Sequence, residues 1–264
     1  MALSPTEQRT IVITGGGGGI GKAAALLCAS RGDKIAILDK DGDAAKVAAE
    51  ESMRNGSPNA LGLHCDVTVE EQIEESFATI AARLGPAYGV FANAAIGVRG
   101  HLHELPASTW RLVIETNLTS VFLTCKHALQ QMIASKIAGS IVCTSSPTGF
   151  VALGAGAAGA YSAAKGGVSA LVRCMAVDYA PYGIRVNAVV PGSTETRLMW
   201  RDTPSAEIIA IRDQLSKEIP LGRLAQPEDP ARAVAWLLSE ESSYVTGSHL
   251  VCDGGILAKA SVSA

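Results

Sequence analysis

The sequence predicts an α/β fold built on a parallel sheet, on three observations. Short apolar runs of strand length alternate with longer stretches of helical periodicity. The first run empties into five consecutive glycines before a helix begins, and the next two strands close on an acid, Asp39 and then Asp66. Open sheets of this class bind ligands beyond the carboxyl ends of their strands, so those acids stand where a ligand is expected.

Across 264 residues, 48% are hydrophobic and 18% charged, enough for a sizeable core. No linker, repeat or low-complexity stretch divides residues 1–264, so one domain is expected. A net charge of −3 gives no electrostatic reason for nucleic acid or an anionic membrane as partner. No apolar run approaches the ~18 residues of a membrane span. Residues 1–10 lack the apolar centre of a signal peptide. Six cysteines without a CxxC pair read as free thiols in a reducing compartment, so the cytoplasm is the expected location.

Residues 11–14 form the first strand, followed by the glycine turn and a helix with its apolar stripe at 20, 23, 24, 27 and 28. Glycines let a backbone approach a pyrophosphate, and a helix N-terminus offers it unpaired N–H groups. Gly16, Gly18 and Gly21 fit one glycine fingerprint, and Gly15, Gly19 and Gly21 a longer one. Both lead to a dinucleotide. Residues 34–38 are the second strand. Asp39 can accept from the adenosine ribose hydroxyls and would repel a 2′-phosphate, which favours NAD over NADP. Lys40 is expected to point to solvent.

A helix over 41–54 leads to a strand at 61–65. Asp66 then either accepts from an adenine amine or caps the helix at 69–84. Residues 88–92 are the fourth strand. Residues 106–136 read as one long helical stretch with Asn117 in its interior, where asparagine is a poor helix former. It bends the helix, binds water or faces a partner strand. A fifth strand at 140–144 ends in Ser145 and Ser146. The glycine- and alanine-rich loop at 147–160 is placed to close over a small molecule. A helix at 161–179, a strand at 184–190, a partly helical stretch at 193–217, a helix at 227–238 and a last strand at 249–252 complete the chain.

Tyr161 and Lys165, four apart, share a face of that 161–179 helix. A free tyrosine titrates near pH 10, and a nearby cation favours its phenolate. The spacing therefore predicts a tyrosine able to act as acid and base.

Together these residues resemble the short-chain dehydrogenases/reductases over essentially the full length. The matching pieces are Thr14-Gly15, Gly19-Ile20-Gly21, Asp66-Val67, Asn117, Ser146, Tyr161 with Lys165, Asn187, Pro191-Gly192 with Thr196, and Asp253-Gly254-Gly255. The resemblance implies a doubly wound Rossmann fold with a seven-stranded sheet in the order 3-2-1-4-5-6-7. It implies a catalytic set of Asn117, Ser146, Tyr161 and Lys165, with Ser146 rather than Ser145 as the active serine and Gly149 completing the pattern. It implies cofactor contacts from Gly15, Gly19, Ile20, Gly21, Asp39, Asp66, Val67, Asn93, Ala94, Tyr161, Lys165, Pro191, Gly192, Thr194 and Thr196. The family's Asn-Asn-Ala-Gly motif stands here as Ala92-Asn93-Ala94-Ala95, a departure at two of its positions. A homotetramer is also implied.

The expected activity is NAD-dependent interconversion of a secondary alcohol and its ketone. Tyr161 exchanges the proton, Lys165 lowers the tyrosine pKa and holds the nicotinamide ribose, Ser146 binds the substrate oxygen, and Asn117 holds a relay water. Segments 94–103, 147–160 and 193–217 are expected to wall the substrate pocket. Phe150, Leu153, Met199 and Trp200 are its apolar candidates; Arg99, His101, His103, Arg197 and Arg201 are its polar ones. His101 and His103 lack a third ligand, so no metal is expected. The alternatives are an NADPH-linked 3-oxoacyl-carrier-protein reductase, disfavoured by Asp39, and a non-catalytic NAD-sensing regulator, disfavoured by the complete set of four.

Overall fold

The computed structural model describes residues 8–152, 156–201 and 203–259. Strands β1 (Thr10–Thr14), β2 (Lys34–Asp39), β3 (Ala60–His64), β4 (Ala87–Ala92), β5 (Ser140–Thr144), β6 (Arg185–Pro191) and β7 (His249–Cys252) form one sheet. Its order is β3-β2-β1-β4-β5-β6-β7, as the resemblance implies, and every pairing is parallel. The chain winds outward from β1 one way, then returns and winds outward the other way. The reversal between β1 and β4 opens a crevice at their carboxyl ends.

The strands are buried on both faces, which is why they read as apolar runs rather than alternating ones. Successive residues still serve opposite layers. Val12 and Leu38 join the core under α3 (Glu70–Leu84), α5 (Ser120–Ala134) and α6 (Gly159–Tyr179). Ile11, Ile13, Ile35 and Ile37 join the core under α1 (Gly19–Ala29), α2 (Gly42–Arg54) and α9 (Glu228–Leu237). Alanines dominate the buried faces of α1 and α2, so these helices ride close to the sheet. At Gly62 of β3 an added Cβ would meet the Ala45 carbonyl carbon at 2.4 Å.

Three expectations change. The third strand runs one residue earlier than the expected 61–65, because Leu61 to Leu63 pair with Ala36 to Leu38 of β2 in that register. Asp66 does not cap α3; Val69 holds that position, and Asp66 instead closes a turn on Thr68. The long stretch at 106–136 is α4 (Ala107–Ile114), a π-helical turn at Glu115–Thr119, and α5. Such turns inside α-helices are frequent at functional sites.

Short helices α7 (Arg197–Trp200) and α8 (Ser205–Glu218) make a strap beyond β6. All six cysteines are free thiols. Among the described residues, no helix is long and apolar enough to cross a membrane.

Candidate active site

The glycine turn sits at the crevice. Gly15 takes a φ of 63°, and an added Cβ there would come 2.8 Å from Ala94 Cα. A Cβ on Gly21 would come 2.3 Å from the Gly15 carbonyl oxygen. The turn folds that tightly because both residues lack side chains. α1 then begins after Gly18, its N-cap residue, with no side-chain cap and no acid in its first turn. Its leading N–H groups and dipole are left to an anion, which fits the pyrophosphate of a dinucleotide.

Asn93 braces this cradle. Its amide donates to the carbonyls of Thr14 and Gly15, both at 3.2 Å, and its oxygen accepts from Thr144 Oγ1 at 3.1 Å. One side chain thus ties β1, β4 and β5 at their carboxyl ends. The departure from the family motif at Ala92 and Ala95 leaves these bonds intact.

Asp39 ends β2 with its carboxylate accepting from Gly17 N at 2.9 Å and Asp41 N at 3.0 Å. It lines a cleft of about 850 Å³ with Lys40, His64, Ile96 and Arg201. Lys40, expected in solvent, instead reaches Asp66 at 2.6 Å while staying largely exposed. Burial opposes ionisation of Asp66, but hydrogen bonds from Lys40 and Thr68 prevail and hold its carboxyl down at about 2. Arg201, a polar candidate for the substrate pocket, also lines this cleft.

Asn117 explains the π-helical turn. It is fully buried; its Oδ1 accepts from Ile96 N at 2.8 Å, and its Nδ2 donates to Ile96 O at 2.9 Å. Ile96 follows β4 and lies beyond the sheet ladder, so Asn117 satisfies its backbone in place of a neighbouring strand. Of the three readings open in the sequence, the side chain holds the exit of a strand and the helix is reshaped around it.

Ser146, Tyr161 and Lys165 meet at the end of β5. Tyr161 is half-buried, with Ser146 beside it. The Lys165 nitrogen lies 5.6 Å from the Tyr161 ring centroid and donates to the Thr144 carbonyl at 2.7 Å. Ser145 turns away, its hydroxyl 2.7 Å from Ser169 Oγ and 3.2 Å from the Lys165 carbonyl. Gly149 lets the turn at Pro147–Gly149 lie on α6, where an added Cβ would stand 2.9 Å from Lys165 carbonyl carbon.

The titration of this group corrects the sequence argument. Burial pushes the Tyr161 phenol up to about 12, with only the Ser146 hydrogen bond working the other way. Burial also brings the Lys165 ammonium down to about 8. Desolvation outweighs every other influence on the phenol, and the lysine ammonium's one bond among the described residues is to the Thr144 carbonyl.

The three expected wall segments do converge. Gly100 N donates to Ala157 O at 2.7 Å, and an added Cβ on Gly159 would stand 2.9 Å from Leu102. An added Cβ on Gly97 would lie 3.8 Å from Leu198 of α7. The individual wall residues fare differently. Phe150 packs edge-on against His249 at 5.5 Å. Trp200 donates to Glu195 at 2.8 Å and lies under Arg212, so the strap packs partly on itself. Met199 is half-buried beside it. Leu153 lies outside the described residues. Arg99 and Arg197 are exposed, and His101 and His103 stack on each other at 6.0 Å.

On the cofactor side, Thr196 caps α7 and faces Gly19, whose added Cβ would stand 3.2 Å from Thr196 Cγ2. Thr194 bonds the Gly192 carbonyl at 3.0 Å, Gly192 packs on Asp253, and Pro191 is buried at the end of β6. Val67 is buried and Ile20 half-buried. Sequence reasoning missed Thr144, Ile96, Thr148 and the Glu195–Arg212 pair. Ile96 and the Thr144 carbonyl act through backbone atoms, which leave no mark on residue identity.

A family model described as enoyl-(acyl carrier protein) reductase matches residues 16–257. The chain is 42% identical to cis-4-hydroxycyclohexanecarboxylate dehydrogenase of Sinomonas cyclohexanicum, over 95% of this chain and 97% of that one. It is 36% identical to 2,5-dichloro-2,5-cyclohexadiene-1,4-diol dehydrogenase of Sphingobium indicum, over 97% and 100%. A solved short-chain type dehydrogenase/reductase from Mycobacterium marinum superposes with a TM-score of 0.87 at 34% identity, covering 94% of this chain and 95% of that one.

Proposed function

This chain belongs to the short-chain dehydrogenase/reductase family, and from that premise we propose that it interconverts an alicyclic secondary alcohol and its ketone, with NAD as cofactor and Tyr161 as acid and base. The observation that carries the reading is the meeting of Ser146, Tyr161 and Lys165 at the end of β5. The relatives support the substrate class, since both are named for six-membered carbocyclic alcohols.

The nicotinamide, when bound, supplies or accepts the hydride. In reduction Tyr161 gives its proton to the carbonyl oxygen; in oxidation it takes one from the hydroxyl. Ser146 donates a hydrogen bond to the same oxygen, where charge develops. Lys165 acts on the tyrosine from the buried side and holds the nicotinamide ribose. Asn117 keeps the Ile96 backbone in place behind them. The glycine turn and the α1 N-terminus hold the pyrophosphate, with Ile20, Ala94 and Asn93 around it. Asp39 takes the ribose hydroxyls, while Asp66 and Val67 flank the adenine. Pro191, Gly192, Thr194 and Thr196 orient the carboxamide.

NAD is favoured by Asp39 at the ribose position and by the engagement of Lys40 with Asp66, which leaves it a poor partner for a 2′-phosphate. A homotetramer is supported by apolar side chains exposed on the helices beyond β4 and β5, among them Leu112, Phe122 and Val177. Light scattering checks the assembly, and a monomer would refute it.

The activity test is absorbance at 340 nm with NAD and NADP against cyclohexanol, cis-4-hydroxycyclohexanecarboxylate, polyols, sugars and linear hydroxy acids. Turnover of the cyclic alcohols with NAD is expected. Preference for linear hydroxy acids would overturn the substrate class.

A further inference from the structure

Ser146 is bonded in an unequal way. Its Oγ accepts from Thr148 N at 3.3 Å and from Thr148 Oγ1 at 3.0 Å. A serine hydroxyl has two acceptor lone pairs and one hydrogen to give. Both lone pairs are engaged by the same neighbour, so the remaining capacity of Ser146 is its own O–H. That hydrogen is not taken up by Thr148, and Tyr161 stands close by.

We propose that Thr148 is a positioning residue that fills the acceptor capacity of Ser146 and makes its hydroxyl an obligate donor to the substrate oxygen. The inference rests on the role of Ser146 given above. A serine free to accept would take the hydrogen of the Tyr161 phenol, and that hydrogen is the one the substrate needs. A serine fixed as donor leaves the tyrosine proton for the substrate and adds a second donor to the same oxygen. Thr148 is well placed for this, because its turn, Pro147–Gly149, begins with a buried proline and rests on the α6 backbone through Gly149. Groups held by packed backbone keep their aim.

The test compares Thr148→Val, Thr148→Ser and Ser146→Ala in the full chain, oxidising cyclohexanol with NAD from pH 6 to 10. NADH binding is followed in parallel by fluorescence. Thr148→Val keeps the shape and the backbone donor but loses the hydroxyl donor. It should lower kcat roughly tenfold, the order expected for one such hydrogen bond. KM and NADH affinity should stay within about twofold, and the rise of rate with pH should move to higher pH. Thr148→Ser should restore kcat and the pH profile. A Thr148→Val enzyme with wild-type kcat and pH profile, beside a Ser146→Ala enzyme that has lost turnover, would overturn the inference and leave the role of Ser146 standing. Loss of NADH affinity in proportion to kcat would reduce Thr148 to a structural cap. Wild-type turnover by Ser146→Ala would remove the underlying reading and the inference together.

Discussion

Lys165 donates its ammonium to the Thr144 carbonyl at 2.7 Å while standing 5.6 Å from the Tyr161 ring centroid. A buried cation with one neutral acceptor is costly to keep charged. Its pKa has fallen from 10.5 to about 8 as a result. Between those two values the unfolded chain binds a proton that the folded chain does not, so this group makes stability rise with pH in that window. Lys165→Met removes the effect. The unfolding free energy of the wild type relative to Lys165→Met should therefore rise by roughly 3 kcal/mol from pH 7.5 to 10.5. Urea unfolding at the two pH values measures it; a constant difference would contradict the buried charge. Turnover of Lys165→Met should fall ~10²–10⁴-fold at neutral pH.

Asn117→Ala strips both backbone partners from Ile96. Two buried polar groups lose their bonds at a cost of about 1–3 kcal/mol each. Part of this returns through water at the half-buried loop, so a net loss of about 2–4 kcal/mol is expected in urea unfolding, with weaker NADH binding. Stability within about 0.5 kcal/mol of wild type would show that Ile96 is held by other means.

The proposed choice of NAD turns on Asp39. Wild-type kcat/KM should favour NAD over NADP, and Asp39→Ser should narrow that ratio by at least ~10-fold through loss of ribose contacts and of repulsion. A wild-type preference for NADPH would reverse this part of the account.

The sheet was legible because its strands are buried on both faces and so announce themselves as apolar runs. β5 and β7 have the expected bounds, and the other strands lie within one residue of theirs. The glycine turn was legible because only glycine fits where Gly15 and Gly21 meet. The π-helical turn was not, since Glu115 to Thr119 carry no sequence mark apart from Asn117 itself; the distortion comes from a contact with Ile96, distant in sequence. The tyrosine pKa was misread for a similar reason. Spacing puts Lys165 beside Tyr161, but burial and the bond to Thr144 are tertiary facts, and they decide the balance. The neighbours of Arg201 and Phe150 were not legible, because the path of a loop is fixed by what it packs on, and neither residue identity nor periodicity reports that.

The central claim is that Tyr161 carries the proton of an alcohol–ketone interconversion. Its most direct test is Tyr161→Phe, measured for NAD-linked oxidation of cyclohexanol at 340 nm and for NADH binding by fluorescence. A ~10²–10⁴-fold loss of kcat with NADH affinity preserved is expected. Near-normal kcat in that variant would contradict it.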